Sequence, residues 1–227
     1  MPAERDRPEV IARGDGVLGE VALRRRGDVY ELIVNGVFLM DTVETSTEER
    51  LAQAVLDRHA KPRRILVGGL GLGFTTAALL RDPRVERIDV VEIEPLLVEW
   101  LRAGLVPDVA DMLRDPRIHV HVSDIRDVLG NGATYDAILL DVDNGPGFLA
   151  HDRNAEVYER PVLESAAGML VRDGLLAVWS SHRSDGLRDR LTAVCGRCDG
   201  ISLEVVRDGR PLSYYLYLAP AARDDLV

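Results

Sequence analysis

The chain predicts an α/β protein: a doubly wound, mostly parallel sheet of seven strands with a small N-terminal β appendage. Three observations carry that prediction. The run Arg64-Ile65-Leu66-Val67-Gly68-Gly69-Leu70-Gly71-Leu72-Gly73-Phe74 takes an apolar strand into a glycine-rich turn from which a helix starts. Strand patterns near 64–68, 87–92, 117–122, 135–141 and 174–180 then alternate with helical ones near 74–81, 95–104, 124–129 and 155–171, as in parallel strands joined by crossovers. Beyond a helix at 187–194, strands at 202–207 and 213–218 flank Asp208-Gly209-Arg210-Pro211, an antiparallel hairpin that closes the sheet.

Residues 1–45 read as the appendage and 46–227 as the nucleoside-binding domain. Apolar and polar residues alternate over 17–23 and 29–34 around Arg26-Gly27-Asp28. Asn35-Gly36 is a two-residue hairpin signal, because both central positions of such a turn need positive φ, and it precedes a strand at 37–40. Ser46-Thr47-Glu48-Glu49 predicts a capping box, with Ser46 as N-cap and Glu49 reaching back. The helix it opens runs to about His59, with Leu51, Ala52 and Val55 inward.

Composition narrows the class. The 227 residues are 46% hydrophobic and 29% charged, as expected of a soluble globular chain. No apolar run approaches the roughly 20 residues that span a bilayer, and the charged N-terminus lacks a signal-peptide core. A cytoplasmic protein with no membrane partner is expected. The net charge is −10 and the basic residues are scattered, which argues against a nucleic-acid partner. Cys195 and Cys198 form a lone C-x-x-C after a helix, where neither a redox pair nor a complete zinc site is favoured, and no metal site is expected. His119 and His121 share one strand face; a metal pair is one reading, but without a nearby carboxylate a structural role is expected.

The glycines at 69, 71 and 73 let backbone approach a ligand. Glu92, in Val90-Val91-Glu92-Ile93-Glu94, follows them by roughly 20 residues, where a carboxylate takes ribose hydroxyls. A nicotinamide dinucleotide site would want glycine at 74, and that residue is Phe74. The spacing fits a loop around an amino-acid-bearing nucleoside. Asp124 ends the third strand, placed to accept from an adenine amino group while Ile125 packs on the ring. Asp141 ends the fourth at the carboxyl edge, where such sheets bind ligands. The cofactor contacts are therefore assigned to Gly69, Leu70, Gly71, Gly73, Glu92, Ile93, Asp124, Ile125 and Asp141. Asp141 is also the catalytic candidate, orienting an acceptor or taking its proton. His182, after Trp179-Ser180-Ser181, is a further acid/base candidate at the fifth strand's end. Arg126 and Asp127 read as a solvated helix face.

The segments ILVGGLGLG, VVEIEP, DPRIHVHVSDIRDVL, YDAILLDVDNGPG and RDGLLAV resemble the spermidine synthase family, over roughly residues 30–220. That resemblance implies an aminopropyltransferase on the class I S-adenosylmethionine-dependent methyltransferase fold, commonly assembled as dimers or tetramers through the β appendage. It implies S-adenosylmethionine or its decarboxylated form as cofactor, and a small-molecule acceptor. It also places Asp143 and Asn144 in the acceptor pocket and Tyr158 beside it. The departures matter. The family's loop Asp, which binds the donor's amine, aligns with Leu72, and the second Asp of its fourth-strand motif with Asn144. The gate keeps Asp41 and Glu44 but lacks the family's Gln and Tyr.

Without the loop Asp, the glycine loop's N–H groups are expected to be free for a carboxylate, which favours intact S-adenosylmethionine. The sequence therefore ranks methyl transfer to a small acceptor first and aminopropyl transfer second. A non-catalytic nucleoside-binding relative ranks third.

Overall fold

A computed structural model describes residues 7–142, 145, 152–207 and 209–221. Four antiparallel strands come first: β1 (Glu9–Gly16), β2 (Gly19–Arg26), β3 (Val29–Val34) and β4 (Val37–Asp41). The Asn35-Gly36 hairpin is present, with φ of 51° and 74°. β1 was not foreseen; it pairs along β2 through a register shift between Val10 and Ala12, an interruption of the alternation that sequence reading relies on.

α1 (Ser46–Arg58) follows, but without its capping box. Thr45 is the N-cap and makes no side-chain cap bond. Ser46 instead gives both its N–H and its hydroxyl to Oε1 of Glu44, an upstream partner that the local motif ignores.

Next come β5 (Arg64–Gly68), α2 (Phe74–Leu80), β6 (Arg87–Glu92), α3 (Pro95–Arg102), α4 (Val109–Met112), β7 (Ile118–Val122), α5 (Ile125–Val128) and β8 (Tyr135–Leu140). The expected helix over 155–171 divides into a 3₁₀ helix (Asp152–Tyr158) and α6 (Arg160–Gly168). Pro161, lacking an N–H, belongs in a first helical turn and so restarts the helix there. β9 (Leu170–Ser180) starts earlier than expected, with a register shift against β8. α7 (Asp185–Cys195), β10 (Asp199–Arg207) and β11 (Arg210–Pro220) complete the chain.

The large sheet has the order β10-β11-β9-β8-β5-β6-β7, parallel from β9 to β7, with β11 antiparallel to both its neighbours. β5 pairs with β6 on one side and β8 on the other, and the connections run in opposite directions from it. Doubly wound sheets bind ligands at such a switch point. Ile65, Leu66 and Val67 are fully buried because both sheet faces are covered. Leu51 and Val55 of α1, Leu79 of α2 and Leu101 of α3 pack on one face; Ile125, Leu163 and Leu187 pack on the other. Val21, Leu23 and Leu32 of the small sheet join the first of these cores. Among the described residues no helix is long and apolar enough to cross a membrane.

Candidate active site

The loop after β5 turns at the switch point. Gly69, Gly71 and Gly73 have φ of 95°, 51° and 88°, all left-handed. A Cβ on Gly69 would lie 2.2 Å from the carbonyl oxygen of Asp141, so the β5 and β8 ends approach closely only because that residue is glycine.

The expectation of free loop amides fails. The Gly69 N–H donates to Val91 O (2.8 Å) and the Gly73 N–H to Leu70 O (2.9 Å). Leu70 donates to Oε2 of Glu92 (2.9 Å), and the Gly71 N–H adds to the field that favours the charge on that carboxylate. Leu72 donates to the thioether of Met40 (3.2 Å). Four of the five backbone N–H groups from Gly69 to Gly73 therefore already have a partner within the chain.

Glu92 is the fastener of this arrangement. It takes the Leu70 amide and, through Oε1, the Glu94 N–H at 2.9 Å. Burial pushes its carboxyl up from the ordinary range, against the pull of those N–H donors. Glu94 in turn caps α3 by accepting from Leu96 (3.1 Å), and it holds the β1–β2 turn through the Val17 N–H (2.8 Å). Gly16 makes the approach possible, since a Cβ there would sit 1.9 Å from Oε2 of Glu94.

Gly69, Leu70, Gly71, Glu92, Ile93, Asp124, Ile125 and Asp141 line one cleft at the carboxyl edge. Gly73 does not. It faces a hollow behind the loop with Leu72 and Met112, and its left-handed φ serves to start α2. Leu72 is likewise buried away from the cleft, at 1% exposure, so the loop residues facing the cleft are Gly69, Leu70 and Gly71. The opposite wall is apolar and comes from the small sheet: Leu18, Val21, Leu32, Val34, Leu39 and Met40. Sequence reading gave these residues no site role, because their alternation reads as ordinary core.

Beside Asp141 stand two residues that were not assigned. Thr75 donates its hydroxyl to Oδ2 of Asp141 at 2.6 Å. Glu48, 7% exposed, lines the same cleft and accepts from the Thr47 hydroxyl (2.6 Å). Burial raises Asp141 to about 6, with the Thr75 bond opposing it. Burial and then the Asp141 charge raise Glu48 to about 7. The signal for Glu48 was legible: it lies three, four and seven residues before Leu51, Ala52 and Val55, on the inward face of α1. Such a pair of perturbed acids in a cleft makes a functional-site candidate.

Other candidates fall elsewhere. Tyr158 is fully buried and donates to the Val142 carbonyl, bracing the β8 exit rather than meeting a ligand. His182 lines an adjoining hollow, which shares Leu39, Met40, Glu48 and Trp179 with the cleft, and its Nδ1 bonds the Ser181 hydroxyl at 2.6 Å. Asp143 and Asn144 lie outside the described residues. Arg126 is no solvated face: its side chain is 18% exposed and bridges Asp124 (2.5 Å) to Glu156, while Asp127 is exposed. Asp124 also caps α5 by accepting from the Arg126 N–H (3.0 Å). His121 bonds Oδ1 of Asp89 at 3.1 Å, a carboxylate supplied by the neighbouring strand. Cys195 and Cys198 are free, buried thiols, both raised to about 11 by desolvation.

The sequence is similar to spermidine synthase 1 of Hyoscyamus niger, 32% identical over 151 residues that cover 64% of this chain and 45% of that protein. It is also similar to putrescine N-methyltransferase 4 of Nicotiana tabacum, 32% identical over 139 residues, 56% of this chain and 32% of that one. This chain thus spans less than half the length of either relative. The fold superposes on a crystal structure of spermidine synthase in complex with the transition state analogue AdoDATO, with a TM-score of 0.81 and 18% identity over 95% of this chain and 74% of that one. The spermidine synthase of Thermotoga maritima gives 0.79, also at 18% identity, over the same shares of the two chains. Residues 44–184 match the family model described as the spermine/spermidine synthase domain, and on that match the chain belongs to the spermine/spermidine synthase family.

Proposed function

We propose that this chain transfers an aminopropyl group from decarboxylated S-adenosylmethionine to a small amine. The observation that carries the reading is the acid pair Glu48 and Asp141 beside a glycine loop whose Gly69, Leu70, Leu72 and Gly73 N–H groups already have partners. A carboxylate on the donor's tail would meet two buried carboxyls, and four of the five loop N–H groups are already taken. A decarboxylated donor brings only cations, its sulfonium and its ammonium, and both are attracted there. This reverses the preference for methyl transfer, which rested on free loop amides and on the loss of a charge at Asn144.

In this reading Glu92 offers its remaining lone pairs to the ribose hydroxyls. Asp124 accepts from the adenine amino group, and Ile125 packs on the ring. The acceptor's neutral amine attacks the propyl carbon attached to sulfur; the C–N bond forms as the C–S bond breaks, and the electron pair leaves on sulfur as methylthioadenosine. The proton released from the amine passes to Asp141, whose raised pKa suits a base working near neutrality. Positioning in line supplies most of the rate. Self-association into a dimer or tetramer is part of the proposal, and sedimentation velocity measures it.

The similarity to putrescine N-methyltransferases supports a second reading, methyl transfer from intact S-adenosylmethionine. Incubation with each donor and putrescine, followed by mass spectrometry, separates the two. Methylthioadenosine and an aminopropylated amine are expected. S-adenosylhomocysteine and a methylated amine would replace the first reading by the second, and binding without turnover would leave a nucleoside-binding relative.

A further inference from the structure

Consecutive residues of a strand point to opposite faces, yet Leu39 and Met40 of β4 both line the cleft. The pairing of β4 with β3 explains this. Leu32 pairs with Met40 and Ile33 with Phe38, so Leu39 is an extra residue that bulges and re-aims its neighbour. The consequence falls on the glycine loop. Met40 places its sulfur 3.2 Å from the Leu72 nitrogen and 2.7 Å from where a side chain on Gly71 would begin; its terminal methyl is 3.4 Å from that point. The thioether thus caps one loop amide and fills the space beside the next.

We propose that Met40 selects the donor by its tail: it occupies the seat at Gly71 and Leu72 in which a donor's carboxylate would otherwise rest. The inference rests on the reading of the cleft as an adenosyl-sulfonium site and adds the residue that discriminates between the two forms of that donor. A thioether is a weak hydrogen-bond acceptor, and a carboxylate would take the Leu72 N–H more strongly. Exclusion therefore works by occupancy. A decarboxylated tail asks nothing of that amide and passes the methionine toward Glu48 and Asp141. Because Met40 is only half-buried, shortening it opens the seat without emptying the core.

Two nucleosides that differ only by the carboxylate test the inference: S-adenosylhomocysteine and S-adenosyl-3-thiopropylamine. Their Kd values are measured by calorimetry on the wild-type chain, Met40→Ala and Met40→Leu, with a thermal melt of each to confirm folding. Wild type should prefer the decarboxylated nucleoside by about tenfold or more, a difference of about 1.4 kcal/mol. Met40→Ala should lower that ratio severalfold, by strengthening S-adenosylhomocysteine binding, while the acid pair keeps the remainder. Met40→Leu, which keeps the volume, should preserve it. A wild-type ratio near one overturns the inference without any variant, and so does an unchanged ratio in a folded Met40→Ala. If wild type binds neither nucleoside, the reading of the cleft fails and this inference fails with it.

Discussion

Thr75 gives its hydroxyl to Oδ2 of Asp141 at 2.6 Å, while the same hydroxyl lies 3.5 Å from the backbone carbonyl of Glu48. One side chain on the first turn of α2 thereby fixes a carboxylate at the end of β8. Replacement of Thr75 by Val removes the bond that holds Asp141 down, so the acidic limb of the pH–rate profile should move to higher pH. At pH 7 kcat should fall about three- to tenfold, with Thr75→Ser restoring it. An unshifted limb in Thr75→Val would remove this residue from the mechanism.

Asp141→Asn tests the proton acceptor itself. Loss of about 10²- to 10⁴-fold in turnover is expected, with nucleoside affinity by calorimetry changed little. Retention of turnover would pass the role of base to Glu48.

Glu48 and Asp141 also set a pH dependence of stability. Both carboxyls titrate higher in the folded chain, at about 7 and about 6, than their ordinary values of 4.5 and 3.8. Over that window the folded state holds more protons than the unfolded one, so the contribution is present on the acid side and is lost as pH rises. Unliganded protein should be less stable at pH 8 than at pH 5 through these two groups, by on the order of 2 kcal/mol. Urea melts measure it, and Glu48→Gln should remove at least half of the difference.

Gly16 and Glu94 should behave as one unit. Gly16→Ala drives a methyl into the Glu94 carboxylate and should cost about 1–3 kcal/mol. Glu94→Ala leaves the Val17 and Leu96 amides unpaired at a similar cost. Together they should cost less than the sum, because the collision is gone; additivity in chemical melts would show that the two do not meet.

Tyr158→Phe removes the donor to the Val142 carbonyl. About 1 kcal/mol of stability should go with it, read as a fall in Tm of about 2–4 °C. Donor KM should hold, since Tyr158 does not line the cleft; a large rise in KM would return it to the binding site.

The strands and the switch point were legible because apolar runs between glycines have few alternatives. Glu92, Asp124 and Asp141 were legible because a carboxylate at a parallel strand's end faces the ligand edge wherever the helices lie. Leu72 was misread, since the direction of a side chain in a loop of left-handed glycines follows from dihedrals rather than from spacing. Glu48, Thr75 and Met40 were missed for a related reason. Each belongs to an element distant in sequence from Asp141 or from the loop it touches, and only packing brings them there. The bulge at Leu39 is the clearest case, because one inserted residue turns Met40 from an ordinary strand side chain into a wall of the cleft.

Leu18, Val21, Leu32, Val34, Leu39 and Met40 form the lid side of a site whose floor belongs to the large sheet. A nucleoside held between them spans the joint, so its binding free energy is also a docking free energy for β1–β4. Saturating ligand should therefore protect the amides of that small sheet from hydrogen exchange far more than those of β7 or β10. By the same linkage, variants that loosen Glu94's hold on the β1–β2 turn should surrender nucleoside affinity from outside the pocket. On the proposed function, the cleft would act as the adhesive of the fold as well as its workplace.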